Sequence, residues 1–169
     1  MSRTNFVNGG AFARSARGSG NNTVLAGGAG DATKVPGAFQ TRLSGKGIAL
    51  SAKLIVSYTA TLGAGNTLAF AANFQDALSA AGAGAADYGD NVPSTVVATG
   101  AAGGSTETGT FEIDIDLSGA REFVRSQVTP DLSAGATDTA SWHMDYVFFG
   151  DHRQPITKSP VNIGSVDAL

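Results

Sequence analysis

The 169-residue chain has no cysteine, which removes a disulfide framework, a thiolate zinc site and a cysteine nucleophile. Charge is scarce as well. Asp, Glu, Lys and Arg make up 15% of the residues, against roughly 25% in ordinary globular domains. Eleven Lys and Arg against fourteen Asp and Glu leave a formal charge of −3, with no basic cluster anywhere. A nucleic-acid binder needs a cationic footprint to displace phosphate counterions, so no nucleic-acid partner is expected. The apolar runs are a few residues long, far short of the ~20 that cross a bilayer as a helix. No apolar signal core follows Arg3. No membrane partner is expected, and the chain reads as soluble and not exported by a signal peptide.

What the chain has in quantity is small side chains: Ala, Gly, Thr and Ser account for 82 of 169 residues. An aromatic fraction of 8% is ordinary, so a core can still be buried, and the length fits one domain with an arm. Residues 1–35 interleave glycine with Asn, Ser and Ala around isolated Phe6, Val7, Phe12, Val24 and Leu25. Glycine loses much backbone entropy on ordering. The segment therefore reads as a flexible arm that orders against a partner surface, or as an untethered terminus. Arg3, Arg14 and Arg17 beside Phe6 and Phe12 suit an acidic, partly apolar neighbour, and these five are the candidate partner contacts.

From Pro36 the pattern turns to period two, the mark of half-buried strands. Ile48, Leu50, Ala52, Leu54, Val56 and Tyr58 alternate with more polar residues, Ile55 being the exception on the outer face. A turn at Gly63, Gly65 and Asn66 leads to Leu68, Phe70, Ala72 and Phe74, and the two runs are expected to pair as a hairpin. Residues 76–91 read as a loop or one helical turn, because each of Gly82, Gly84 and Gly89 costs a helix roughly 1 kcal/mol. Val92, Val96 and Val97 suggest a short edge strand interrupted by Pro93. Phe111, Ile113, Ile115 and Leu117 alternate cleanly with Glu112, Asp114 and Asp116. A helical turn at Gly119–Glu122 is expected to run into a strand from Phe123, with Pro130 and Asp131 opening a turn-rich loop. Ala140, Trp142, Met144, Tyr146 and Phe148 carry much of the aromatic core on the last strand. Strands predominate and no long β-α-β alternation exists, so the fold class is all-β: an antiparallel β-sandwich, jelly-roll-like, with an extended glycine-rich N-terminal arm. The expected organisation is arm 1–35, sandwich 36–160 and tail 161–169.

Signals for chemistry are weak. Glu112, Asp114 and Asp116 stand about 7 Å apart along one strand face, but calcium loops converge their ligands by turning sharply, so no metal site is assigned. His143 and His152 lie near Asp145 and Asp151, yet no serine sits in the sharp Gly-flanked turn that a nucleophile needs. No catalytic residue and no cofactor is assigned, and the chain is not expected to be an enzyme. The glycine-rich Gly45-Lys46-Gly47 fails as a phosphate loop, since Gln40 stands where the first glycine belongs and Gly47 where the hydroxyl belongs.

Residues 114–155, DIDLSGAREFVRSQVTPDLSAGATDTASWHMDYVFFGDHRQP, resemble the small virion structural proteins of tailed bacteriophages, the capsid cement or decoration proteins. The likeness rests on D-L-S-x-A-R-x-x-V-R-x-x-V-T-P-D-L-S, a Thr-Asp-Thr-Ala turn, and an apolar strand closing on Phe-Gly before Arg-Gln-Pro. It covers about a quarter of the chain. It implies a β-sandwich core, Arg121 and Arg125 as framework cations beside the core strand, and no catalysis. Trp142 and His143 depart from it, standing where smaller aliphatic residues are expected. The function it implies is that of a non-enzymatic protein, made in the host cytoplasm, that binds the outer surface of a capsid and stabilises it as a homotrimer closing a ring around a local threefold. The major capsid protein would be its partner. Two alternatives stand beside it: a tail or head–tail joining component, and a carbohydrate-binding sandwich with Trp142, Tyr146 and Tyr58 as stacking aromatics.

Overall fold

The computed structural model describes residues 13–44, 47–133 and 137–150, and none of these is helical. Period-two alternation of burial runs through the strands at 51–62, 105–116, 123–132 and 139–149, and thirteen strands form among the described residues. The first six are short: β1 (Ala13–Arg17), β2 (Asn22–Leu25), β3 (Val35–Pro36), β4 (Gln40–Thr41), β5 (Leu43–Ser44) and β6 (Gly47–Ile48). The remainder are β7 (Ser51–Leu62), β8 (Thr67–Ala77), β9 (Ala86–Asp87), β10 (Val92–Thr99), β11 (Ser105–Asp116), β12 (Phe123–Leu132) and β13 (Thr139–Phe149).

Two antiparallel sheets face one another. The first runs β1-β13-β7-β11, with β2 also on β13; the second runs β10-β8-β12-β3, with β4 also on β12 and β9 on β8. Taking β1 with β2 and β3 with β4 as single positions and setting aside the two-residue β5, β6 and β9, eight positions remain. First pairs with last, second with seventh, third with sixth and fourth with fifth. Such nested pairing is a long hairpin rolled up on itself, which is the expected jelly roll.

The registers explain the abundance of small residues. On the inner face of the first sheet one row reads Arg14, Phe148, Ala52 and Ile115, and another reads Asn22, Trp142, Tyr58 and Gly109. Large rings therefore stand beside alanine or glycine, and the sheets interlock at the density of a protein interior. A Cβ on Gly109 would lie 2.6 Å from the Tyr58 hydroxyl, and one on Gly18 would lie 2.8 Å from the Tyr146 ring. From the second sheet, Phe70 inserts among Tyr58, Phe111 and Trp142, with ring centroids 5.9, 6.1 and 5.7 Å away. The Tyr58 hydroxyl crosses between sheets to donate to the Val97 carbonyl at 2.7 Å.

Several local expectations are corrected. The runs at 51–62 and 67–77 do not form a hairpin; they lie in opposite sheets, and the Gly63–Asn66 turn carries the chain across. That crossing is held by the Gly65 N–H on the Gly100 carbonyl and the Gly100 N–H on the Asn66 carbonyl, at 2.9 and 2.8 Å. The residues at Gly119–Glu122 make a turn and no helix. Pro130 does not end its strand. It pairs with Phe70 inside β12, and its carbonyl accepts from the Ala32 N–H at 2.9 Å on the side away from β8. Since N–H and C=O of one antiparallel residue point the same way, the missing proline N–H faces that outer side and the β8 ladder stays complete. Pro93 does lie in an edge strand, at a register shift, as expected. The arm boundary also moves: β1, β2 and the first residue of β3 fall within 1–35, and Val24 is buried in the core. Strand pairing to β13 outweighs local glycine content there. Residues 1–12 and the tail 161–169 lie outside the described residues.

Candidate functional site

The two sheets leave little interior room, so the functional candidates are surfaces. One small cleft, lined by Ala52, Phe74, Tyr88, Leu117 and Tyr146 among others, holds a free volume of about 10 Å³, the space of about one water.

The outer face of the first sheet can be assembled row by row from the pairings. Near the Phe149 end the rows read Ser15, Val147, Lys53, Asp114, and then Arg17, Asp145, Ile55, Glu112. Farther along, the row through Ser57 reads His143, Ser57, Thr110, and the next reads Thr23, Ser141, Thr59, Thr108. This face is thus charged and partly apolar at one end and hydroxyl-bearing at the other.

The acidic stripe is placed as expected, with Glu112, Asp114 and Asp116 exposed on β11. Its neighbour on β7 was not anticipated. Lys53 Nζ reaches Asp114 at 2.9 Å and Glu112 at 3.2 Å, and those two bonds raise the ammonium pKa. Asp116 accepts the Ser118 N–H at 2.8 Å, which lowers its pKa. The stripe is therefore an ion-paired face. Lys53 could have been suspected from its outward parity, but its pairing depends on which strand lies next to β11.

His143 also sits on the outer face, with Nε2 3.3 Å from Asp145 Oδ2. Ser57 stands across from it in register on the same outer face. His152 and Asp151 lie outside the described residues.

Of the candidate partner contacts, Arg3, Phe6 and Phe12 lie outside the described residues. Arg14 and Arg17 fall on β1 with opposite orientations. Arg14 turns inward, its guanidinium carbon 4.5 Å from the Phe148 ring centroid and NH2 donating to the Thr41 carbonyl at 2.8 Å. Arg17 is exposed and donates to the Ser19 carbonyl and Asn21 Oδ1 at 2.8 and 3.2 Å. Arg14 is thus a rim-packing residue, and Arg17 is the one of the pair presented outward.

The motif arginines are framework cations by geometry. Arg121 grips buried Asp76, its backbone N–H and Nε donating to the two carboxylate oxygens at 2.9 Å each, and NH1 donating to the Gly84 carbonyl at 2.6 Å. Burial alone would raise the Asp76 pKa; the Arg121 hydrogen bonds and charge outweigh it and hold the carboxyl below its usual range. Arg125 lies 4.4 Å over the Phe39 ring and bonds Gln75 Oε1. Sequence reasoning missed Arg42, which is buried and donates to the carbonyls of Leu117 and Ala120, tying the β5–β6 ribbon to the turn before β12. No local pattern marks it, since two of its carbonyl partners, Leu117 and Ala120, lie more than seventy residues away.

The proposed sugar-stacking aromatics are corrected. Tyr58, Trp142 and Tyr146 all point into the core, at 9%, 2% and 1% exposure, and offer no outward platform.

In comparisons with known proteins, no family model matches the chain, and no curated protein matches it. Among solved structures, a chain in the structure of infectious bursal disease virus, Gx strain, aligns at 15% identity with a TM-score of 0.36. The alignment covers 85% of this chain and 34% of that one, so this chain spans about a third of its length. Fold likeness does not carry function by itself.

Proposed function

We propose that the chain is a structural virion protein that binds the outer surface of a bacteriophage capsid and stabilises it as a cement or decoration protein, without catalysis. In this reading it is a homotrimer that docks where major capsid proteins meet. The observation that carries the reading is the jelly roll packed on its own side chains, with room for about one water in its cleft. What the domain offers a partner is outer surface. The likeness of residues 114–155 to phage cement proteins supports the same role, as do the low charge and small side chains. A domain of this kind works by summing modest contacts over many copies, with avidity replacing any single strong contact.

The test is quantitative mass spectrometry of purified particles together with labelled antibody on intact ones. Stoichiometric presence with label on the head supports the proposal. Label on the tail favours the joining-component reading, and absence from particles refutes both. The arm has its own test. Deleting residues 1–12 leaves β1 whole, whereas a cut at residue 20 would remove it. Loss of capsid occupancy on deleting 1–12 supports the arm as a partner contact; unchanged occupancy removes it.

A further inference from the structure

Leu43, Leu50 and Phe149, three large apolar side chains that the fold leaves exposed, lie at one end of the sandwich. Leu43 pairs with Ile48 across the β5–β6 ribbon, and the Ala49 N–H donates to the Arg42 carbonyl at 2.8 Å. Arg42 and Ala49 are buried, so the ribbon turns Leu43, half-buried Ile48 and Leu50 to its opposite face. The Leu50 N–H donates to the Phe149 carbonyl at 3.0 Å, which joins that face to the outer face of the first sheet. There half-buried Val147 stands two residues before Phe149 on the same side of β13. Val147 pairs with Lys53 and Asp145 with Ile55, so Val147 and Ile55 are diagonal neighbours. Lys53 between them leans away, with Nζ on Asp114 and Glu112. The result is one apolar strip from Leu43 through Leu50, Phe149 and Val147 to Ile55, the residue that breaks the outward polarity of β7.

Contiguous exposed apolar surface marks a contact, and the chain leaves the described fold at the middle of this strip. Gly150 has a φ of +96°, and a Cβ on it would lie 3.2 Å from the Leu50 nitrogen and 3.3 Å from the Leu50 Cβ. The left-handed turn open to glycine thus ends β13 with the backbone against Leu50. Nineteen residues follow, 151–169, with Ile156, Val161, Ile163, Val166 and Leu169 spaced among polar ones. Ile156, six residues past Gly150, has a reach of about 20 Å, whereas Val147 is about 7 Å from Phe149 along β13. Residues 1–12 leave from β1, on the far side of β13 from β7, and so start farther from Ile55.

We infer that residues 151–169 dock on this strip in the same chain, setting Ile156 and the later apolar residues against Leu43, Leu50, Phe149 and Val147. The occupant is the chain's own C-terminal segment. Docking takes apolar surface of both partners out of water, and the tether at Gly150 makes the contact intramolecular, so modest affinity suffices. The contact is internal to one chain and independent of any virion role. It leaves the hydroxyl-bearing end of the first sheet, around exposed Thr59, Thr108 and Ser141, as the open part of that face.

The cysteine-free sequence lets a nitroxide be attached to the full chain at one introduced cysteine, Ser165→Cys, with paramagnetic broadening of methyl signals as the readout. In dilute solution the Leu43, Leu50, Val147 and Ile55 methyls are expected to lose intensity. Those of Leu25 and Val96, near the opposite end of the strands, are expected to keep theirs. Adding Leu43→Ser and Leu50→Ser should restore the Val147 and Ile55 signals, with unchanged Leu25 and Val96 shifts showing that the fold is intact. Deleting residues 151–169 should shift the strip methyls and raise the binding of an apolar dye. Mixing nitroxide-bearing chain with isotope-labelled cysteine-free chain separates a contact within one chain from one between copies. Broadening that appears in the mixture places the tail on a second copy and overturns the inference. Strip signals indifferent to the nitroxide or to the deletion, or broadened from Ser2→Cys but not from Ser165→Cys, overturn it as well. None of these measurements involves particles, so absence of the chain from virions defeats the virion reading alone.

Discussion

Replacing Tyr146 with Phe tests the packing of the interior at its most polar point. The Tyr146 ring is 1% exposed and stacks on Phe148 at 5.5 Å between centroids, while its hydroxyl meets the backbone N–H and the Oγ of Ser126, itself fully buried. Tyr146→Phe keeps the ring and strands both Ser126 groups, so a loss of about 1–3 kcal/mol is expected near neutral pH. Alkali gives the sharper measurement. Burial pushes the Tyr146 phenol up to about 12, although the Ser126 bonds and the charge of Arg125 pull against it. With the folded value above the ordinary value of 10.0, the folded state holds its proton longer than the unfolded state. The stability associated with it is therefore complete below about pH 10 and is lost as pH rises toward 12. Two pH units correspond to about 3 kcal/mol. Urea unfolding midpoints measured from pH 8 to 12 should fall steeply for the wild type. The slope should be shallower for Tyr146→Phe, with a residual slope from Tyr58, whose pKa burial also raises. An alkaline slope identical in the two proteins would refute the assignment of the buried hydroxyl.

Phe70→Ala should cost about 3–5 kcal/mol in urea unfolding, since the ring joins both sheets through Tyr58, Phe111 and Trp142; a loss below about 1 kcal/mol would contradict the sandwich core. Gly100→Ala should destabilise by about 1–3 kcal/mol, because its Cβ would lie 2.1 Å from the Gly63 carbonyl oxygen at the turn that crosses between sheets. Gly20→Ala, with no atom within 4 Å of the added carbon, should stay within about 0.5 kcal/mol, and equal losses at the two sites would count against the crossing. Asp76→Asn should flatten the acid limb of the stability curve. The folded Asp76 pKa lies below its usual value, so its contribution is present above the ordinary carboxylate range and disappears as pH falls through the folded value. Thermal melts between pH 2 and 7 read this directly, and an unchanged acid limb would remove the Asp76–Arg121 clamp from the account.

Much of the strand content was legible because alternation is a local property. Tyr146 and Phe148 lie on the inner face whatever strand lies beside β13, since parity alone separates them from His143 and Asp145. The acidic side of β11 followed from the same rule, and the edge position of Pro93 from the donor that proline lacks. Partners are a different matter, because they belong to chain segments far apart in sequence. Period two could not tell whether the strand ending at Leu62 pairs with its successor or with β11, about fifty residues on, and the choice of a hairpin was wrong for that reason. Pro130 looked like a turn because proline removes a donor, and only the neighbour on its outer side decided that no donor was needed there. The glycine-rich stretch from Ala13 onward looked unanchored because its order comes from β13, more than a hundred residues later.

By itself, the amino-acid order determined the all-β character, the inward set of large side chains and the shortage of reactive groups, since each of these is fixed by residue type and parity. Tertiary structure alone decided which strands are neighbours, that Arg42 and Arg121 hold distant turns together, and that Arg17 and the β11 carboxylates stand on opposite rims. Rolling the chain into nested pairs brings together residues separated by long stretches of sequence, and the charge carried by an edge exists only once those pairs have formed.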